Sequence, residues 1–465
     1  MGTERPAAFL ADLRRRLGAE AVAAGAGDCW AYGYDNSRLH HAAEAVVWPA
    51  GHDQVREVVA LCHREGVPLT VRGAGTGTAG AAVPQAGGVV LSTERMTRME
   101  PVDAANRVLV VEPGVTNRQV QEAAGEAGFF WPPDPTSADV ATVGGNIACN
   151  AAGPRAVKYG TTREAVLGLR AVTGDGRELR TGVYTSKGVV GYDLTRLLVG
   201  AEGTLAVVTE ATLRLLPRAT AKRTLRGLYR DAEAAARAVA RVMAQPVVPC
   251  ALEFMDGEAL RLAREHGGAE APAEAGALLM IEVDGAADCV DGATAEVAAA
   301  ARTPGCLTLD TARDQAEVDR LWAVRKALSP ALRHVAPKKI NEDVVVPVSR
   351  IPDLIAGLQT LADRHGLPIV NFGHAGNGNL HVNLLVDPAV PGQADAAEQC
   401  LGDVFDLVLA LHGTLSGEHG IGAIKREFVA RELDPVALEL MWAIKARFDP
   451  AGILNPGKKL PGVPG

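Results

Sequence analysis

The sequence predicts an α+β protein built from more than one domain. Three observations point there. At 465 residues the chain is longer than a single core normally organises. Segments with helical and with strand-type apolar spacing are interspersed along it. The composition also changes after Pro217, where alanine-rich helical sequence begins. We expect a first domain over 1–217, a second α+β domain with an antiparallel sheet over 218–410, and a helical C-terminal segment over 411–465.

Residues 6–17 read as a short helix. In DQVREVVALCHREG the residues Val55, Val58, Val59 and Cys62 form a helical stripe, with Asp53 as the expected cap and Gly66 as the stop. VPLTV (67–71), GVVLS (88–92) and RVLVVEPG (107–114) read as strands, and 117–127 as a helix. Between 164 and 216 two more strand regions flank a turn in TRLLVGAEGT. Beyond Pro217 the pattern is helix (231–244), strands (251–256, 277–285), helix (313–328), strand (342–349), helix (351–366) and strand (367–374).

Bulk composition excludes several classes. A net charge of −8 disfavours a nucleic-acid surface, and 4% aromatic residues offer few stacking platforms. The seven cysteines are scattered without a Cys-x-x-Cys pair, which fits reduced thiols in the cytoplasm and leaves no iron–sulfur ligand set. No apolar run is long enough for a transmembrane helix, so any membrane attachment is expected to be peripheral.

Two glycine-rich stretches carry the first functional signal. RGAGTGTAG (72–80) contains a G-x-G-x-x-G spacing but leads through Pro84 into another strand. A nicotinamide fingerprint must open a helix, so that reading fails. Four glycines still let successive N–H groups cradle an anion, beside the charge of Arg72. The bland alternative is a plain glycine turn. PDPTSADVATVGGNIACNAAGPRAVKYG (133–160) is almost free of bulky side chains, as expected of backbone laid against a large flat ligand. A third piece, LLVGAEGTLAVVTEATLRLLP (197–217), has Gly200 and Gly203 leading into a strand.

In order and spacing these pieces resemble the FAD domain of the vanillyl-alcohol-oxidase superfamily, over roughly 35–460 including the leading YGYDNSRLHHAAEAVVWP. The resemblance implies a two-subdomain FAD-binding fold of the p-cresol methylhydroxylase type, followed by a substrate (cap) domain. It implies flavin contacts at Arg72, Gly73, Gly75, Thr76, Gly77, Pro135, Thr136, Ser137, Thr142, Gly145, Asn146, Gly153, Tyr159, Gly160, Glu202, Val208 and Asn455. Members that attach FAD covalently often use a histidine in the first loop. Thr76 stands there, which implies non-covalent FAD.

HAGNGNLHVN and SGEHGIG look like the two motifs of the D-lactate, glycolate and D-2-hydroxyglutarate dehydrogenase branch. The residues agree. NLHVNLLV alternates, so His381, Asn383 and Leu385 share one strand face, and the preceding glycines and asparagines permit a turn that folds His374 back. Two imidazoles and a carboxylate, Glu418, form a normal set for a divalent ion such as zinc or manganese. His419 is left as a candidate base. Each piece alone also reads as a satisfied polar residue or a surface turn.

In LWAVRKALSPAL, Arg325 and Ser329 lie one helical turn apart, and the resemblance implies that this arginine clamps the substrate carboxylate. In the hydroxyglutarate enzymes a lysine just before the strand aspartate holds the distal carboxylate. Here Asn341 and Glu342 precede Asp343, and Lys339 sits further back. A small D-lactate- or glycolate-like acid is therefore expected first, with D-2-hydroxyglutarate as the alternative. Asn383 is expected to orient the substrate or the metal site. Electrons would pass to an external acceptor: a quinone, an electron-transfer flavoprotein, an iron–sulfur subunit or oxygen. The family is often homodimeric. The rivals are a metal-free flavin oxidase acting on a sugar or alcohol, a metal-dependent hydrolase, and a non-catalytic partner subunit.

Overall fold

A computed structural model describes residues 7–266, 268 and 270–462, so Pro6 of the expected first helix lies outside the described residues. The chain is α+β and forms two compact units. The first contains the residues up to Ala152, Gly160–Arg218 and Glu418 onward; the second contains Gly153–Tyr159 and Ala219–Gly417. The start of the C-terminal segment stays with the second unit because Thr414 exchanges backbone hydrogen bonds with Val345, and Gly417 N–H donates to the Asp343 carbonyl.

The first unit has two four-stranded sheets. In one, the order is Val22–Ala23, Ala45–Val47, Val89–Ser92, Leu69–Arg72, and the last three strands run parallel. Helices Ala7–Leu17 and His52–Glu65 bury Leu13, Val55, Val58, Val59 and Cys62 against it. Gly66 stops the second helix in the left-handed region, as expected. Asp53 does not cap it: the helix begins at His52, and Asp53 sits in its first turn, where its charge favours the helix dipole. The other sheet is antiparallel, in the order Val108–Val111, Ala206–Arg214, Val166–Thr173, Glu178–Gly182. Helix Asn117–Glu126 starts with a capping box between Thr116 and Gln119. The C-terminal segment returns to the first sheet, where Leu454 bridges Leu69 and Asn455 N–H donates to the Leu69 carbonyl.

The second unit is organised by a seven-stranded antiparallel sheet. Its order is Cys306–Thr311, Ala221–Tyr229, Ala277–Gly285, Ala251–Met255, Ile369–His374, Asn379–Val386, Lys338–Val345. Helices Gly257–His266 and Gln315–Ala331 cover Leu228, Met255, Leu278, Met280 and Phe372 on one face. Side chains alternate along a strand, so Tyr229 points the other way, and its hydroxyl donates to Ala301 at the end of helix Val290–Ala301. Segment 153–159 is fixed here because Lys158 and Tyr159 both bond the Asp284 carboxylate.

The turn between the two histidine-bearing strands is tight. A single 3-10 turn over Ala375–Asn377 is followed by Gly378 at φ 77°. A Cβ there would collide with the Val346 carbonyl oxygen. Gly378→Ala should therefore destabilise the protein by ~3 kcal/mol or more in urea unfolding, where backbone strain and collision add. Gly128, at φ 82° with open space around it, provides the control. Gly128→Ala should cost only ~1 kcal/mol. Equal losses would contradict the collision.

Candidate active site

The first unit contains a groove of about 490 Å³. Its walls hold the expected Gly73, Gly75, Thr76, Gly77, Pro135, Thr136, Ser137, Thr142, Gly145, Asn146, Glu202, Val208 and Asn455. Glu418 and His419 line the same groove. The glycine loop leaves strand Leu69–Arg72 and runs past the start of helix Val143–Cys149, where Thr142 accepts the Gly145 N–H at 3.2 Å. A Cβ on Gly73 would strike the Thr142 hydroxyl, so only glycine lets the two segments approach. Small residues such as Ala81, Ala148, Ala151 and Ala152 complete a wall made mostly of backbone. Such a groove fits an extended dinucleotide with a flat ring system: N–H groups for phosphate, apolar surface for the ring.

Four expected contacts, Arg72, Gly153, Tyr159 and Gly160, are not among these wall residues. The Arg72 guanidinium donates to the Tyr34 carbonyl at 2.5 Å and lies against the Tyr32 ring. Gly153 and Tyr159 belong to the second unit, and the Tyr159 hydroxyl donates to Asp284 at 2.6 Å. Gly160 forms the left-handed corner by which the chain re-enters the first unit.

Glu202 does more than line the wall. It is 2% exposed and has φ 54°, in the left-handed region. Its carboxylate accepts the N–H groups of Ile421 and Gly422 at 2.8 and 2.7 Å, and Lys459 pairs with it. The SGEHGIG segment, which carries His419, is thereby fixed through its backbone. Asn455 donates to the Glu202 carbonyl at 2.5 Å and binds the buried Lys458, whose ammonium also donates to the Ala81 carbonyl at 2.8 Å.

The second unit holds the other expected residues. The His374 and His381 rings meet edge to face with centroids 5.3 Å apart, on neighbouring strands. His374 Nδ1 is 2.6 Å from Glu253 Oε1. Glu253 Oε2 accepts from Arg325 Nε at 2.7 Å, and the guanidinium lies over the Phe372 ring. Glu253 has no exposed surface. Burial pushes its pKa up, but His374 and Arg325 outweigh that and hold it below the ordinary carboxylate value. Sequence reasoning missed this residue, although a lone acid amid the apolar ALEFM strand was a readable signal.

Ser329 and Lys339 come together, with Nζ 2.5 Å from Oγ. Asn383 is fully buried; its amide donates to the Val370 and His381 carbonyls, and its oxygen accepts from Asn341. These bonds brace the strand that carries His381. Asp343, paired with His381 across the sheet, accepts Ser416 Oγ and Gly417 N–H. Glu418 follows one peptide bond later.

Comparison with known proteins gives a consistent picture. Residues 218–459 match the family described as FAD linked oxidases, C-terminal domain, and residues 43–182 match an FAD binding domain. The chain is 36% identical to glycolate oxidase subunit GlcD of Bacillus subtilis over 92% of this chain and 91% of that one. It is 40% identical to D-lactate dehydrogenase of Archaeoglobus fulgidus, covering 89% and 90%. Among solved structures, p-cresol methylhydroxylase with bound substrate shares the fold, with TM-score 0.79, 18% identity and 98% and 96% coverage. Among the described residues no helix is long and apolar enough to cross a membrane.

Burial lowers the Lys458 pKa from 10.5 to about 7, against the opposing pull of Asp35 and Glu202. Between those values the unfolded chain carries a proton that the folded one lacks, so stability rises with pH. In flavin-free protein, unfolding free energy should gain ~2 kcal/mol more between pH 7 and 9 than in Lys458→Met. Parallel pH profiles would refute the assignment.

Proposed function

Because this chain belongs to the FAD-linked oxidases, in the 2-hydroxy acid branch of the vanillyl-alcohol-oxidase superfamily, we propose that it oxidises a small D-lactate- or glycolate-like acid to the 2-oxo acid. It is an FAD-linked oxidoreductase. In our reading FAD is held non-covalently, since Thr76 offers no ring nitrogen for attachment, and His374, His381 and Glu418 hold a zinc or manganese ion. The observation that carries this reading is the pair of buried imidazoles 5.3 Å apart, on the same sheet face as the Arg325–Glu253 pair.

Oxidation removes a hydride from Cα and a proton from the hydroxyl. FAD, when bound, supplies the two-electron acceptor. The divalent ion, when bound, supplies a Lewis acid for the substrate oxygen. Arg325 binds the substrate carboxylate through the Nη edge of its fork, since Nε is engaged by Glu253. His419 takes the hydroxyl proton on a ring nitrogen. The buried strand under His381, braced by Asn383, fixes the geometry. The electrons then leave for an external acceptor: a quinone, an electron-transfer flavoprotein or an iron–sulfur subunit.

A longer acid is the second reading. Lys339 on Ser329 puts a second cation one helical turn beyond Arg325, where a distal carboxylate of D-2-hydroxyglutarate would need it.

Anaerobic bleaching of the bound flavin by a panel of acids separates these readings. D-lactate or glycolate should bleach fastest, and L-lactate at least ~100-fold more slowly. Preference for D-2-hydroxyglutarate that vanishes in Lys339→Met would favour the second reading. Bleaching only by sugars or simple alcohols would refute both. His419→Ala should keep FAD and lose ~10²–10⁴-fold in bleaching rate, the usual worth of a general base.

A further inference from the structure

The Glu253 carboxylate touches both His374 and Arg325. Its position follows from the sheet. Strand Ala251–Met255 pairs with strand Ile369–His374 in the register Phe254↔Gly373 and Met255↔Phe372, which carries Glu253 onto His374. Helix Gln315–Ala331 packs over the same face and delivers Arg325 from above. An ionised carboxylate only accepts hydrogen bonds, so the His374 Nδ1 facing it must carry the proton, and Nε2 then presents a lone pair. The same carboxylate holds the guanidinium by Nε and sets the direction of its free edge.

We propose that Glu253 is a positioning residue that sets two groups at once: the tautomer and aim of His374 toward the metal, and the aim of Arg325 toward the substrate carboxylate. This rests on the function proposed above. It goes further by making metal affinity and substrate affinity depend on one buried charge that contacts neither ligand. Glutamine cannot replace it, because its amide offers one acceptor where two N–H donors converge, and turns an N–H toward the other donor.

The test measures two constants on the holoenzyme variant Glu253→Gln. Zinc affinity is read by competition with a chelating dye, and KM for the best 2-hydroxy acid by turnover with an artificial acceptor. FAD content and absorbance serve as the fold control, since the flavin groove lies in the other unit. Zinc affinity should fall ~10–100-fold, the usual effect of removing a carboxylate behind a ligating histidine, and KM should rise at least ~10-fold. FAD content should stay at the wild-type level. A purely structural role would lower Tm and leave both constants alone. If Glu253→Gln does not yield folded flavoprotein, Glu253→Asp decides: it keeps the charge, cannot span both partners, and should shift both constants in the same direction. Constants within about twofold of wild type in the folded variant would overturn the proposal. Wild-type protein that binds no zinc or manganese would overturn the metal reading beneath it, and an unchanged KM would then overturn the Glu253 link as well.

Discussion

An ionised carboxylate with no exposed surface is costly, by several kcal/mol, unless its hydrogen-bonding capacity is met in full. Glu253 meets that condition only when His374 and Arg325 are both in place. Three elements far apart in sequence are therefore tied to one charge: strand Ala251–Met255, strand Ile369–His374 and helix Gln315–Ala331. A one-residue slip of either strand would turn Glu253 or His374 to the opposite face and strand the charge. The same requirement that fixes the register brings the His374 imidazole and the Arg325 guanidinium to one place.

The first unit uses a second buried carboxylate in a comparable way. Glu202 accepts backbone N–H groups from Ile421 and Gly422, and so fixes the segment that carries Glu418 and His419 along the groove. The groove itself is made by removing side chains: glycines and alanines let backbone donors reach a ligand that no bulky wall could approach. Both buried carboxylates hold neighbouring segments in place, Glu253 through His374 and Arg325 and Glu202 through the backbone of Ile421 and Gly422.

Much of this was legible in the sequence, for identifiable reasons. Periodic apolar residues gave the helix at His52–Glu65 and the strands around the glycine loop, and Gly66 marked a true stop. The groove residues were expected from the family resemblance, carried by glycine and small-residue runs that permit close backbone approach. Elements without a periodic signal were missed. Strand Ala221–Tyr229 carries Lys222, Arg223 and Arg226, and edge strand Cys306–Thr311 is largely exposed, so neither reads as alternating. Helices Val290–Ala301 and Gln393–Ala410 lie in alanine-rich sequence that lacks cap residues. Arg72 also donates to the Tyr34 carbonyl, a tertiary partner no local pattern announces. Glu253 was missed for the same reason, since its partners lie on a strand and a helix much further along the chain.

In the function proposed above, a divalent ion held by His374, His381 and Glu418 is required for oxidation of a 2-hydroxy acid. The most direct measurement is anaerobic flavin reduction in protein stripped with a chelator and then reloaded with one equivalent of zinc or manganese. The account predicts that stripping leaves FAD bound, abolishes reduction by the acid, and that reloading restores the rate. Full-rate reduction by stripped, metal-free protein would contradict it.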